Sequence, residues 1–191
     1  MALYSFSLLP QALLNYRLKS ADGLSELYLF AFFNGYLAET FYIFFLNLPL
    51  AYKVLGPLGT LCISVIVCQR FYYATWNKKT IRLGKIYLVN VALICCSLPW
   101  MFMHPILAGN ITGWMASVIW CTYQFPQVVK IFLKRSTSGF SFTLATMCGV
   151  ASVLELSVAG ALGLPIQTVV NAIRGIMVYL IFLFQFLIYR H

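Results

Sequence analysis

Long apolar stretches separated by short charged clusters set the pattern of this chain. No Asp, Glu, Lys or Arg lies between Lys85 and Lys130, between Glu26 and Glu39, or between Lys53 and Arg70. The same holds between Arg135 and Glu155 and between Arg174 and Arg190. A helix needs about 20 mainly apolar residues to cross the hydrocarbon core, with tolerance down to about 17. That rule predicts seven spans, near residues 2–18, 26–46, 54–75, 86–104, 112–133, 141–163 and 165–189. Strands are not expected, because the alternating pattern of a membrane barrel is missing.

Composition sharpens this picture. The 191 residues are 62% hydrophobic and 9% charged, whereas soluble domains carry about 25% charge. Too little polar surface remains for a soluble domain, so an integral, multi-pass membrane protein is expected. A cytosolic enzyme and a nucleic-acid binder are excluded, despite a net charge of +9. With seven spans, Arg17, Lys19, Lys78, Lys79, Arg82, Lys85, Lys134, Arg135 and Arg190 share one side of the bilayer, and Lys53 lies opposite. Positive-inside bias then puts the N-terminus outside or in a lumen and the C-terminus in the cytoplasm. These clusters read as topology anchors in contact with anionic lipid, not as a ligand site. Met1–Leu9 lacks the positive region of a signal peptide and reads as a span that stays in place. The six cysteines show no metal-ligand spacing and read as small apolar packing residues; no cofactor or metal is expected.

The chain repeats itself. A shift of 116 positions places Pro10-Gln11 on Pro126-Gln127, Ser20 on Ser136, Gly23 on Gly139 and Ser25 on Ser141. The same shift places Glu39 on Glu155, Gly59 on Gly175 and Gln69 on Gln185. Each copy holds three spans, and the fourth lies between them. That fourth span re-inverts the chain, so both triplets face the same way, as parallel repeats. The expected division is 1–76 for the first triplet, 77–111 for the linking loop and fourth helix, and 112–191 for the second triplet.

Pro10-Gln11 with Lys19-Ser20 and Gly23-Leu24-Ser25, and Pro126-Gln127 with Arg135-Ser136 and Gly139-Phe140-Ser141, resemble the motif of the PQ-loop repeat family. That family includes the SWEET sugar transporters, cystinosin-like lysosomal amino-acid transporters and, more distantly, the KDEL receptors. The resemblance implies an all-α, seven-helix, 3+1+3 architecture and a hinge role for Pro10, Gln11, Pro126 and Gln127. Physically, proline removes a backbone donor and kinks a helix. The neighbouring glutamine carries donors and an acceptor that can satisfy the freed carbonyl. A static kink that improves packing is the alternative to a hinge.

Ionisable groups inside a membrane are costly and mark a pathway, a proton site or a pair. Glu39, Glu155 and Arg174 are the three here. Glu155 and Arg174 sit at similar depth on consecutive spans, which suggests an ion pair. Glu39 has Leu58 where Arg174 stands in the other repeat, so it reads as a proton-coupling carboxylate. A glutamate hydrogen-bonded to a neighbouring helix is the other reading. Gln167, Asn171, Arg174 and Gln185 fall on one face of the last span, either lining a solute path or forming a helix–helix seam.

The function these residues suggest is alternating-access transport of a small polar solute, with protons as a possible second partner. Arg174 would hold a carboxylate and Asn171 and Gln167 would hydrogen-bond a polar group, which suits an amino-acid-like zwitterion. A SWEET-like sugar facilitator is the alternative, weakened because Leu55 stands opposite Asn171. A receptor or assembly protein of the KDEL-receptor type is a second alternative. No nucleophile–base pair or phosphate loop supports an enzyme. The small residues permit a homo-oligomer without requiring one.

Overall fold

The computed structural model describes residues 6–48, 50–74, 78–162 and 166–189; the side chains of Ala51, Lys79, Leu162, Ile166, Gln167, Thr168 and Asn171 lie outside that description. Among the described residues the chain is all-helical, with no strand. The helices are α1 (Leu8–Leu18), α2 (Glu26–Phe45), α3 (Leu50–Tyr72), α4 (Lys78–Met103), α5 (Pro105–Thr122), α6 (Phe125–Lys134), α7 (Phe142–Leu162) and α8 (Ile166–Ile188). Stretches of three of them, Tyr52–Tyr72, Thr80–Met103 and Phe142–Ala161, are long and apolar enough to cross a bilayer.

Proline chemistry explains why α5 and α6 are separate. Pro126 has no N–H for the carbonyl of Thr122, four residues earlier, so the helical ladder breaks there. Tyr123 and Gln124 keep right-handed helical dihedrals through the break. The chain therefore bends without turning back, and α5 and α6 are two halves of one kinked rod. Ser7 stands at the equivalent place, three residues before Pro10, also with helical dihedrals. Both short helices then end alike, at Lys19 and Arg135, each left-handed with φ 49°. Ser25 and Ser141 next cap the second helix of each repeat, their hydroxyls accepting from Tyr28 N and Leu144 N.

The elements interleave. α1 packs on α3 of its own repeat and on α7 of the other, while α2 runs beside α3, α5 and α6, and α7 beside α8. Positions related by the shift of 116 are buried together: Leu24 with Phe140, Tyr28 with Leu144, and Ile66 with Phe182. α4 starts at Lys78, not near residue 86 as the apolar pattern predicted. Lys78, Arg82 and Lys85 therefore occupy its first turns instead of a loop. Lys and Arg are good helix formers, and their long stems let the charge reach water from a helix end.

Candidate functional site

The paired glutamines make the tightest link between the repeats. Gln11 is fully buried. Its Nε2 donates to Gly139 O at 2.9 Å, and its Oε1 accepts from Ser141 N at 2.6 Å. Gln127 mirrors this, donating to Gly23 O at 3.1 Å and accepting from Ser25 N at 2.6 Å. Each motif thus clasps the loop of the opposite repeat. The sequence led us to expect each glutamine to serve the freed carbonyl of its own helix; it reaches across instead. A different pair of glutamines supports the kinked helices from within each repeat: Gln69 donates to Ala12 O at 3.0 Å and Gln185 to Val128 O at 2.9 Å.

Symmetry fails at two informative places. Gln69 Oε1 accepts from Asn15 Nδ2 at 3.2 Å, but Ile131 stands where Asn15 does, and Gln185 Oε1 is buried without a partner. In the first repeat Arg70 bridges Glu26 at 3.2 Å and Asp22 at 2.9 Å. In the second, the equivalents of Glu26 and Arg70 are Phe142 and Phe186, whose rings meet edge-on at 5.1 Å. Lys130, from the second repeat, adds hydrogen bonds to the carbonyls of Asp22 and Leu24. Besides its glutamine clasp, the loop at residues 22–26 is thus held by charge, and its counterpart at 138–142 by ring packing.

Beyond the clasp lies a cavity of about 130 Å³. Three pairs related by the internal repeat line it: Phe32 with Cys148, Tyr36 with Ser152, and Glu39 with Glu155. Arg174 and Trp120 complete its polar and aromatic walls. The indole of Trp120 shares the cavity wall with Glu39. Arg174 Nη1 donates to Gln124 Oε1 at 2.9 Å, its guanidinium lies 5.9 Å from the Tyr123 ring centre, and its buried Nε has no partner among the described residues. Gln124 belongs to the break between α5 and α6, so Arg174 ties α8 to that joint.

The cavity is asymmetric in cross-section. Gly59 faces the ring of Tyr36, whereas its equivalent Gly175 faces only the hydroxyl of Ser152. Space therefore opens beside Arg174. Toward the clasp the cavity is closed by the stacked rings of Tyr28 and Tyr123 (5.6 Å) and by Phe140. Away from the clasp, Glu39 and Trp120 also line a groove of about 690 Å³ that runs past Tyr42, Asn110 and Trp114.

The sequence-predicted residues separate accordingly. Glu39, Glu155 and Arg174 come to one cavity. Arg174 also holds Gln124, a partner that depth along the spans did not point to. Pro10, Gln11, Pro126 and Gln127 belong to the clasp and the breaks above it, not to the cavity wall. Gln185, grouped with the polar stripe, is a buried seam residue. The side chains of Gln167 and Asn171 lie outside the described residues. Gln124, Tyr123 and Tyr36 were missed. Stepping back from Glu155 by three and seven positions, and applying the repeat, would have found Ser152, Cys148, Tyr36 and Phe32.

The fold and cavity define a helical membrane protein built on two equivalent motifs that clasp one another. The family model of the PQ loop repeat matches residues 1–52 and again residues 108–159, more than half of the chain. The chain belongs to the PQ-loop repeat family, which includes transporters. No curated protein matches it as a relative.

Proposed function

We propose that this protein carries a small zwitterionic, amino-acid-like solute across the membrane by alternating access. Seven spans in a 3+1+3 order, with parallel triplets and the N-terminus outside, are the architecture this reading uses. The observation that carries it is Arg174, whose buried Nε has no partner among the described residues, facing the same cavity as Glu39 and Glu155. A guanidinium with an unused donor suits a carboxylate, and the two glutamates suit the amino group.

Arg174 also connects binding to movement. A solute carboxylate that takes the guanidinium competes with Gln124, and so loosens the joint between α5 and α6. Release of that joint lets the second repeat swing at Tyr123-Gln124, and the first at Ser7. The clasp between the glutamines then opens on the basic side. Glu39, faced by Trp120, Tyr36 and Glu155, takes and returns the coupling proton.

Uptake into sealed proteoliposomes, with a panel of amino acids and sugars and with or without an imposed pH gradient, tests this reading. Amino-acid uptake should respond to the gradient, and Glu39→Gln should abolish gradient-driven accumulation while leaving exchange down a concentration gradient. Full accumulation by Glu39→Gln removes the coupling role. Sugar uptake indifferent to pH overturns the substrate class.

A further inference from the structure

One face of α4 carries a groove that the transport cycle leaves unused. α4 is thinly packed: only 11% of its most apolar stretch is buried. Its polar link to α2 is Asn90 Nδ2 donating to Asn34 Oδ1 at 2.9 Å. Two cavities flank that link and share Asn90. One, of about 390 Å³, is lined by Arg82, Lys85, Val89 and Leu93. The other, of about 250 Å³, continues past Ile94, Ser97 and Trp100. These positions advance by steps of three and four, so they form one stripe along the helix.

Length and charge specify the occupant. From Arg82 to Ser97 is about 22 Å at ~1.5 Å per residue, the thickness of one leaflet with its headgroups, about 20–22 Å. Arg82 and Lys85 sit at the basic end, exposed, with no acidic partner among the described residues. Below them the walls are mainly apolar, with Asn34, Asn90, Ser97 and Thr112 as the polar exceptions. Asn90 has a second amide N–H besides the one given to Asn34, at a depth about 7–8 Å below Lys85. A cationic mouth over an apolar cleft of leaflet length matches a two-part ligand, anionic at one end and hydrocarbon at the other.

We propose that this groove holds one anionic glycerophospholipid. Its phosphate rests on Arg82 and Lys85, and an acyl chain runs along Val89, Leu93 and Ile94 to Ser97. The proposal rests on the protein being embedded in a bilayer and not on what it transports.

Native mass spectrometry of the full chain in detergent, with phosphatidylglycerol and phosphatidylcholine of the same chain length in equal amounts, tests it. Phosphatidylglycerol should be retained preferentially. Arg82→Gln with Lys85→Gln should lower that preference by roughly 25-fold, about fivefold for each basic residue near the surface. Lys134→Gln with Arg135→Gln, at the other basic cluster, should keep the preference. Ser97→Trp, which fills the deep end, should lower retention of both lipids. Free glycerol phosphate should not displace the bound lipid. A preference that survives loss of Arg82 and Lys85, displacement by glycerol phosphate, or a dimer seated on α4 that excludes lipid would each overturn the assignment.

Discussion

Gly23→Ala is expected to destabilise the protein by at least about 3 kcal/mol, the upper range for overpacking a filled site. A Cβ at Gly23 would lie 2.3 Å from the backbone carbon and Cα of Gly139. The obstacle is main chain, so no side-chain rotation relieves it. Gly139→Ala meets Gly23 Cα at 2.7 Å and adds the strain of φ +79°. Gly160→Ala is the contrast, since nothing among the described residues lies within 4 Å of a Cβ there. In the exposed interior of α7 it should be neutral or stabilising by up to about 1 kcal/mol. Thermal melting of the detergent-purified protein compares all three. Equal melting of Gly23→Ala and Gly160→Ala would refute the close approach of the two loops.

Gln11→Ala and Gln127→Ala should each cost about 3 kcal/mol, with Gln11→Ala the larger because its amide also donates to Asn15 Oδ1 at 2.8 Å. Either change leaves a carbonyl and an N–H of the opposite loop buried without their partner, at about 1–3 kcal/mol per group. Glutamate at either position keeps the shape but replaces the amide donor with an oxygen facing Gly139 O or Gly23 O, so it should not rescue. The double variant should fall short of the sum, since both clasps join the same two loops. A double-mutant cycle on melting free energies measures this. Strict additivity would mean that the two glutamines act at independent places.

Much of this was readable in advance because rare residues carry it. Two Pro-Gln pairs at one spacing exposed the repeat, and three charges in apolar stretches marked the cavity wall. The partners of those residues were not readable. Gln11 bonds to a loop 128 positions away, a pairing set by how the triplets dock and not by any local pattern. Equal depth pointed to Glu155 as a partner of Arg174 and gave no sign of Gln124, which the break above Pro126 brings within reach. The polar stripe on the last span left path and seam both open for a similar reason: a helical period gives the face on which Gln185 lies, not which neighbour that face meets. Gln185 meets α6. Cys148 read as a packing position like the other cysteines, and it lines the cavity.

The most direct test of the central claim is net uptake of a zwitterionic amino acid by sealed proteoliposomes holding the native chain or Arg174→Gln. The account predicts saturable uptake by the native chain and its loss in Arg174→Gln, with both proteins melting at similar temperatures. Undiminished uptake by Arg174→Gln, or binding to the native chain without any flux, would contradict it.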